Sequence, residues 1–185
     1  MPRVNFDTMP EGARLWIFAA DRPLSAAKRD RLLGRVDAFL KEWKAHGVPL
    51  TAARDWRYDR FLFIGVDEAV AGVSGCSIDA LVNDLKALES ELRVTLVDNS
   101  PVLFRDGNSI RRVQRQEFAE LAAGGTVDGD TIVFNNTLTT VGQLRAGEWE
   151  VPASRSWHGE AFPASRSPQS HASTDLRHQE KLRHP

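Results

Sequence analysis

The single cysteine, Cys76, is the residue whose type and position most directly suggest chemistry. It lies in a small-residue turn, SGCSID, directly before a predicted helix. The free amides and the positive dipole end of a helix favour a thiolate and can also hold an oxyanion. His158 or His46 could act as the base, and Asp79 could orient that histidine. These residues give one hypothesis, a cysteine nucleophile for acyl transfer or hydrolysis.

The same residues also have structural interpretations. Free cysteines are among the most buried residues, so Cys76 could be a small apolar residue at a tight strand-to-helix junction. Asp79 is expected in the first turn of the helix, where a carboxylate suits the dipole. Thiolate and imidazole suit zinc, so Cys76, His46 and His158 could hold a metal. They lack the short paired spacing of zinc sites, and we expect no metal and no cofactor.

Composition and charge exclude several classes of protein. The chain has 185 residues, of which 42% are hydrophobic, and this is enough to build a packed core. Its 24 basic and 25 acidic residues give a net charge of -1, which argues against binding a polyanion by bulk charge. One cysteine excludes an internal disulfide. Without a secretory signal or an apolar run of about 18 residues, we expect a cytoplasmic protein with no membrane span.

The N-terminal part begins with a strand, a helix and a hairpin. Residues 14–20 form a short apolar run that is typical of a buried strand. An apolar stripe after Ser25 indicates a helix that ends near His46, with Gly47 as the first residue beyond its C-terminus (C′). Residues 50–58 and 61–67 predict two strands joined by a tight turn. The second of these strands is apolar enough to be central in a sheet.

A second helix and a further strand complete this part, which we assign to residues 1–98. Ser74 or Ser77 is the expected N-cap of the helix. The strand is residues 95–97 or 102–105. The resulting β-α-β-β-α-β order predicts an α+β protein with a ferredoxin-like split βαβ unit. An open α/β sheet is the alternative, because one sequence does not reveal strand order.

Residues 99–162 predict a small second α+β unit. Residues 104–107 resemble the start of a hairpin, and residues 110–113 can return as a strand. A short helix and a strand at 131–134 follow. Residues 163–185 contain few large apolar side chains, so this tail is expected to be disordered.

Four stretches carry a resemblance to a known family. They are SGCSID (74–79), DTIVFNNTLTT (130–140), WEVPASRSWHGEAF (149–162) and the opening MPEGARLWIFAADRPL (9–24). Together they resemble a family of small bacterial proteins, common in Bacteroidetes-like lineages, whose members often carry the label "ABC transporter ATPase". The resemblance implies a bacterial protein and supplies no mechanism.

The ATPase label fails on the residues themselves. A phosphate-binding loop needs G-x-x-x-x-G-K-[ST], in which backbone amides and a lysine hold the phosphates. None of the 13 glycines is followed by lysine, so this motif is absent. The sequence also lacks H-E-x-x-H and G-x-S-x-G. We therefore exclude an ATPase.

The second unit is similar to the GYF-2-like domain pattern. Phe118, Leu121, Gly125, Val127, Asp130, Thr131, Val133, Phe134, Trp149, Pro152 and Ala153 carry the match. Phe134 replaces the usual tryptophan, and the stretch NNTLTTVGQLRAG is an insertion. The resemblance implies protein binding, for which Phe134, Trp149 and Trp157 are the candidate aromatic groove. Independently of the resemblance, Asn135-Asn136 favours a turn, with a binding role as the other hypothesis. The alternative is that these aromatic rings close a small core.

Two further hypotheses complete the prediction. Arg111, Arg112 and Arg115 form a small basic cluster that could meet RNA phosphate, although such clusters are more often solvated faces, and we expect no nucleic acid partner. The favoured function is a non-catalytic binding or regulatory protein that contacts a protein partner through residues 101–162. A thiol-dependent hydrolase or transferase that uses Cys76 is the alternative.

Overall fold

The computed structural model describes residues 4–69 and 71–163, which form helices and antiparallel sheets of the predicted α+β class. In chain order the elements are β1 (Arg14–Ala19), α1 (Ala26–Glu42), β2 (Lys44–Ala45), β3 (Val48–Pro49), β4 (Thr51–Arg57), β5 (Phe61–Asp67), α2 (Gly75–Leu92), β6 (Val102–Asp106), β7 (Ser109–Val113), α3 (Arg115–Ala123), β8 (Ile132–Phe134), α4 (Val141–Arg145), β9 (Glu150–Pro152) and α5 (Trp157–Ala161). Short 3-10 helices lie at Phe6–Thr8 and Ala153–Arg155.

The first large sheet has the strand order β1-β5-β4. Both neighbouring pairs are antiparallel, so β1 and β4 run parallel with β5 between them, which is the arrangement of a split βαβ motif. The central position of β5 follows from its sequence, because six consecutive residues of this strand are buried. The predicted hairpin of β4 and β5 is confirmed.

The fourth strand of a complete ferredoxin-like sheet is not formed by the described residues. Residues 95–97 are irregular, and residues 102–106 belong to the second sheet. The outer edge of β1 is instead occupied by other groups. The Leu15 amide donates to the Thr139 carbonyl at 2.8 Å, and the Asn99 side chain donates to the Ile17 carbonyl at 3.1 Å. These bonds use backbone groups that a fourth strand would need.

Helices α1 and α2 cover one face of this sheet. Their buried residues recur at helical spacing and share one core with the sheet, including Leu32, Val36 and Leu40 of α1, Leu81, Leu85 and Leu88 of α2, and Leu62 and Ile64 of β5. Burying leucine-sized side chains contributes roughly 1.5–3 kcal/mol each. This apolar stripe therefore accounts for both helices.

Helix α1 ends at Glu42, and the prediction that it continues to His46 is wrong. Trp43 is extended, with φ -68° and ψ 128°, and its indole donates to the Ser77 carbonyl at 2.9 Å. His46 and Gly47 have φ values of 51° and 81° and form the two-residue turn between β2 and β3. Glycine adopts such angles without strain, so the glycine that suggested a helix end closes a hairpin.

The second sheet has the order β7-β6-β8-β9, and its predicted hairpin, helix α3 and strand β8 are confirmed. Its side chains join the opposite face of the first sheet in an apolar cluster, which we call the shared cluster. The shared cluster includes Phe6, Met9, Leu15, Ile17, Phe61, Phe63, Leu103, Phe134, Leu138, Val141, Leu144 and Trp149. The sequence boundary near residue 98 thus separates two sheets whose side chains pack together.

Arg60 also connects the two parts. It is 4% exposed, and its guanidinium donates to the carbonyls of Ala20 (3.0 Å) and Asp21 (2.6 Å) at the end of β1. A third bond of 2.7 Å reaches the Ile110 carbonyl in β7. Burial, followed by repulsion from Arg112, lowers the pKa of Arg60. Three carbonyl oxygens thereby stabilise a buried cation at the junction.

Of the C-terminal tail at 163–185, only Pro163 is described, so the predicted disorder of residues 164–185 lies outside the described residues.

Within residues 4–69 and 71–163, no helix combines the length and the apolar character that crossing a membrane requires.

Candidate functional site

Cys76 is exposed at the start of α2. The helix begins at Gly75 with Ser74 as its N-cap, and Ser74 and Ser77 exchange hydrogen bonds in a capping box. The Ser74 hydroxyl accepts from the Ser77 amide at 3.2 Å, and the Ser77 hydroxyl accepts from the Ser74 amide at 2.8 Å. Because the thiol is exposed, the interpretation of Cys76 as a small buried apolar residue is wrong.

The other members of the predicted cysteine site lie in different settings. Asp79 is exposed and is the fifth residue of α2, so the prediction that it lies in the first turn is wrong. Of the two predicted N-cap residues, Ser74 is the cap and Ser77 lies inside the helix. His46 lies in the exposed turn between β2 and β3. Cys76 makes no hydrogen bond to His46 or to His158 in the described part of the chain. No group of three or more histidine, cysteine, aspartate or glutamate side chains there is arranged to hold a metal.

His158 is buried, with 1% of its surface exposed. Its ring stacks on that of Trp157, with the ring centroids 3.9 Å apart, and its Nδ1 lies 2.9 Å from the Ser156 hydroxyl. Burial, and then the charge of Arg115, lowers the pKa of His158 to about 4. The imidazole is therefore neutral near pH 7, and its contacts hold α5 in place.

Close packing around α5 extends to Gly159. A Cβ at this position would lie 2.7 Å from the Ala153 carbonyl oxygen and 3.0 Å from the Ser154 Cα. Neither backbone atom can move away as a flexible side chain can. Glycine at position 159 therefore permits α5 to pack against the 3-10 helix Ala153–Arg155.

The aromatic residues predicted to form a groove are divided between two cores. Phe134 and Trp149 are buried in the shared cluster. Trp157 packs against a different apolar cluster, which contains Phe118. The centroid of its ring lies 5.1 Å from the Arg115 guanidinium carbon. Phe134, Trp149 and Trp157 consequently do not line one groove, and the alternative that they close a core agrees with the structure.

Asn135 and Asn136 stabilise the segment that follows β8. The Asn136 side-chain oxygen accepts a 3.0 Å hydrogen bond from the Trp149 indole. The Asn135 side-chain oxygen accepts from the Thr137 hydroxyl at 2.6 Å. The backbone N–H of Asn135 donates to the Trp149 carbonyl at 2.7 Å. Each asparagine oxygen is thus occupied by a neighbouring group, which agrees with the predicted turn.

Tyr58, which no sequence pattern selected, is the most distinctive exposed side chain. It is 48% exposed, and within the described ranges the only other large apolar side chain exposed to this degree is Val48 at 42%. Tyr58 and Asp59 have φ values of 54° and 50° in the turn between β4 and β5. A bulky residue at positive φ is an outlier that costs about 1–3 kcal/mol and persists only where its surroundings hold it.

Groups of the second sheet, and Trp149 directly before β9, hold the Tyr58 side chain. Its ring stacks on Trp149, with centroids 5.9 Å apart and planes inclined by 16°. The Arg105 guanidinium carbon lies 4.5 Å from the ring centroid. The Tyr58 hydroxyl donates a 2.8 Å hydrogen bond to Glu150 Oε2, and Arg105 Nε donates to Glu150 Oε1 at 2.7 Å.

The electrostatics at this tyrosine follow from Glu150. The hydrogen bond to the Glu150 carboxylate, followed by partial burial, raises the pKa of Tyr58. The same carboxylate raises the pKa of Arg105. Glu150 therefore favours the neutral phenol and the charged guanidinium together.

Arg57 borders Tyr58 on the same side of the sheet. Its guanidinium carbon lies 4.8 Å from the Phe63 ring centroid and 5.6 Å from that of Trp149. Arg57 Nε donates to Asp55 Oδ2 at 2.8 Å. We define the Tyr58 surface as the side chains Asp55, Arg57, Tyr58, Arg105 and Glu150.

The basic cluster is paired internally. Arg111 lies 3.2 Å from Glu117 and 3.4 Å from Asp106, and Arg112 lies 3.0 Å from Asp98. Arg115 donates to the Ser100 carbonyl at 3.0 Å. These contacts agree with the solvated-face interpretation and give no support to phosphate binding.

Two surface depressions have volumes of about 330 and 290 Å³. The first is lined by Asp21, Glu89, Ser90, Arg93, Val94 and Thr95, and the second by Asp30, Arg31, Gly34, Arg35 and Glu91. Both are open and mainly polar, unlike the enclosed apolar sites that usually hold small organic ligands. The Tyr58 surface is therefore the stronger candidate for a functional site.

Comparisons of this chain with protein-family models, with curated proteins and with solved structures gave no match. The two family resemblances stay predictions.

Proposed function

We propose that the protein is a non-catalytic binding protein that contacts a partner protein through the Tyr58 surface. The observation that carries this proposal is the half-exposed ring of Tyr58, held at positive φ by Arg105, Glu150 and Trp149. Tyrosine, tryptophan and arginine are enriched among the residues that dominate binding energy in protein interfaces. The surface combines two of these residue types over a buried tryptophan.

Rigidity supports the same proposal. The Tyr58 ring has a stacking partner, a cation beside its face and a fixed hydroxyl, so it loses little rotamer freedom when a partner binds. An interface side chain that must be immobilised costs about 0.5–1.5 kcal/mol of binding free energy. In Tyr58 much of this rotamer freedom is already lost on folding, so binding a partner costs correspondingly less.

A thiol-dependent enzyme is the second candidate. The exposure of Cys76 at the N-terminal turn of α2 favours it, because that position offers a thiol to solvent beside free helix amides. Cys76 makes no hydrogen bond to a histidine in the described ranges, so no observed contact supports the base that this enzyme would need. The binding proposal is therefore preferred.

Affinity capture with point variants tests the proposal. Immobilised wild-type protein, Tyr58→Ala, Tyr58→Phe and Val48→Ala are incubated with lysate of the source organism, and bound proteins are quantified by mass spectrometry. Val48→Ala is the matched control because Val48 is the other large apolar side chain with comparable exposure in the described residues. We expect Tyr58→Ala to lose at least one partner that wild type and Val48→Ala retain. Equal capture by all four proteins, each shown to be folded by circular dichroism, contradicts the proposal.

A further inference from the structure

We infer that the Tyr58 surface recognises an acidic peptide segment, in which a carboxylate binds Arg57 and a neighbouring apolar side chain packs on Tyr58. The inference rests on the proposed function and names the chemistry of the partner. It follows from the hydrogen-bond donors of the surface that folding leaves unused.

Arg57 carries the unused donors. Its Nε is fixed by Asp55 at 2.8 Å, and its guanidinium lies beside the Phe63 and Trp149 rings. The terminal nitrogens, Nη1 and Nη2, donate to no acceptor within residues 4–69 and 71–163. The side chain is 39% exposed, so these donors are accessible. A guanidinium held in this way offers the fork that a carboxylate accepts with two parallel hydrogen bonds.

The acidic groups of the neighbourhood are already occupied. Asp55 accepts from the Trp56 amide at 2.7 Å and from Arg57, while Glu150 accepts from Tyr58 and Arg105. Asp59 lies 3.6 Å from Arg29. These carboxylates have internal partners, and Arg105 is already paired with Glu150 through Nε and Nη2. The more exposed guanidinium, with both terminal nitrogens unused in the described part of the chain, is that of Arg57. The surface is therefore complementary to an added carboxylate.

The same carboxylates distinguish a peptide from a polyanion. Asp55 is hydrogen-bonded to Arg57 and Glu150 is hydrogen-bonded to the neighbouring Tyr58, so both place negative charge on this surface, and repeated phosphates would meet that charge. A single carboxylate can approach the Arg57 fork alone. The exposed part of Tyr58 adds contact area for an apolar side chain, which nucleic acid backbone does not provide. These features favour an acidic and apolar peptide.

A random peptide display library selected on the full-length protein tests the inference. Recovered peptides are synthesised, and their affinities for wild type, Arg57→Gln, Arg57→Lys and Tyr58→Ala are measured by fluorescence polarisation. Arg35→Gln is the control, because Arg35 is an exposed arginine of α1 that pairs with Asp84 of α2, and these helices cover the opposite face of the sheet. Melting temperatures establish that each variant is folded.

We expect the selected peptides to share an aspartate or glutamate next to an apolar residue. Changing that acid to its amide and changing Arg57 to glutamine should each weaken binding about tenfold or more, and the two changes together should weaken it little further. Arg57→Lys should restore only part of the affinity, because lysine lacks the fork. Arg35→Gln should bind as wild type does.

The opposite results separate the two proposals. Peptides that need Tyr58 but not an acid or Arg57 overturn the inference and leave the proposed function standing. Tighter Arg57-dependent binding of a single-stranded oligonucleotide than of any selected peptide also overturns the inference. Peptides that need neither residue, or a selection without enrichment, contradict both proposals.

Discussion

Tyr58 and Glu150 are 92 positions apart in the chain, yet the tyrosine hydroxyl donates a 2.8 Å hydrogen bond to the glutamate carboxylate. This bond joins the turn of the first sheet to the edge strand of the second sheet. Because Tyr58 is the only tyrosine in the chain, its ionisation can be observed without interference from another phenol.

Ultraviolet absorbance against pH should therefore report the ionisation of Tyr58 alone. We expect a pKa above the ordinary value of about 10, and a fall towards that value in Glu150→Gln. Since the folded pKa is raised, this contribution to stability is present below about pH 10 and is lost as the pH rises through the folded pKa. Glu148→Gln, at an exposed position nearby, should leave the titration unchanged. An identical pKa in wild type and Glu150→Gln contradicts the role assigned to Glu150.

His158 should make the protein less stable in mild acid. Its folded pKa of about 4 lies below the unfolded value near 6.5, so only the unfolded chain takes up this proton at first. Stability is then lost as the pH falls from about 6.5 towards 4, by about 2 kcal/mol between pH 7.5 and pH 5. Urea unfolding at both pH values measures this loss. His158→Asn should remove most of this acid-induced loss of stability, whereas His46→Asn should show the same loss as wild type. Equal losses in the two variants would contradict the role of His158.

Cys76 should react with a disulfide reagent in the native protein. The exposed thiol is the only thiol in the chain, so one equivalent per chain is expected without denaturant. His46→Asn and His158→Asn should not slow the reaction, because neither imidazole is hydrogen-bonded to Cys76 in the described residues. A rate that falls tenfold in either variant would instead support the enzyme alternative. Reaction only after unfolding would contradict the exposure of the thiol.

Arg60→Met should strongly destabilise the fold. The substitution removes three hydrogen bonds and leaves the carbonyls of Ala20, Asp21 and Ile110 without this donor. We expect a loss of roughly 3 kcal/mol or more, measured by chemical unfolding. Arg29→Met is the control, since Arg29 pairs with aspartates at the surface and should leave the unfolding midpoint almost unchanged. Similar midpoints for the two variants are incompatible with the junction described for Arg60.

Two glycine-to-alanine substitutions should have opposite effects. At Gly159 the new methyl group meets the Ala153 carbonyl oxygen at 2.7 Å, and we expect a loss of roughly 1–3 kcal/mol. Gly34 lies in the interior of α1, where an added methyl group would meet no atom within 4 Å. Alanine at position 34 should therefore stabilise the protein by about 0.5–1 kcal/mol. Thermal and urea unfolding of both variants provide the comparison. Stabilisation by Gly159→Ala would show that α5 is not packed as described.

Much of the fold could be predicted from the sequence, because local patterns determine it. The apolar spacing of α2 and the continuous apolar run of β5 are each visible within one element. The predicted end of α1 is wrong because Gly47 is compatible with both a helix end and a hairpin turn. Trp43, the first residue after α1, is hydrogen-bonded to Ser77, 34 positions away, and no local pattern reveals such a contact.

The candidate site was less predictable for the same reason. Cys76, His46 and His158 are conspicuous by type, but type does not indicate which of them meet. Tyr58 follows a strand and precedes an aspartate, which signals only a turn. Its importance comes from Arg105, Trp149 and Glu150, all distant in sequence, so no local pattern could have selected it.

The shared cluster has a consequence for synthesis on the ribosome. Phe61 and Phe63 leave the ribosome well before Trp149 and Phe134, the aromatic residues that cover them. At typical translation speeds the delay is on the order of ten seconds. During that time an aromatic face of the first sheet is open to water and to neighbouring nascent chains. Because Phe134 and Trp149 are synthesised late, this face can close only after the second sheet has been made.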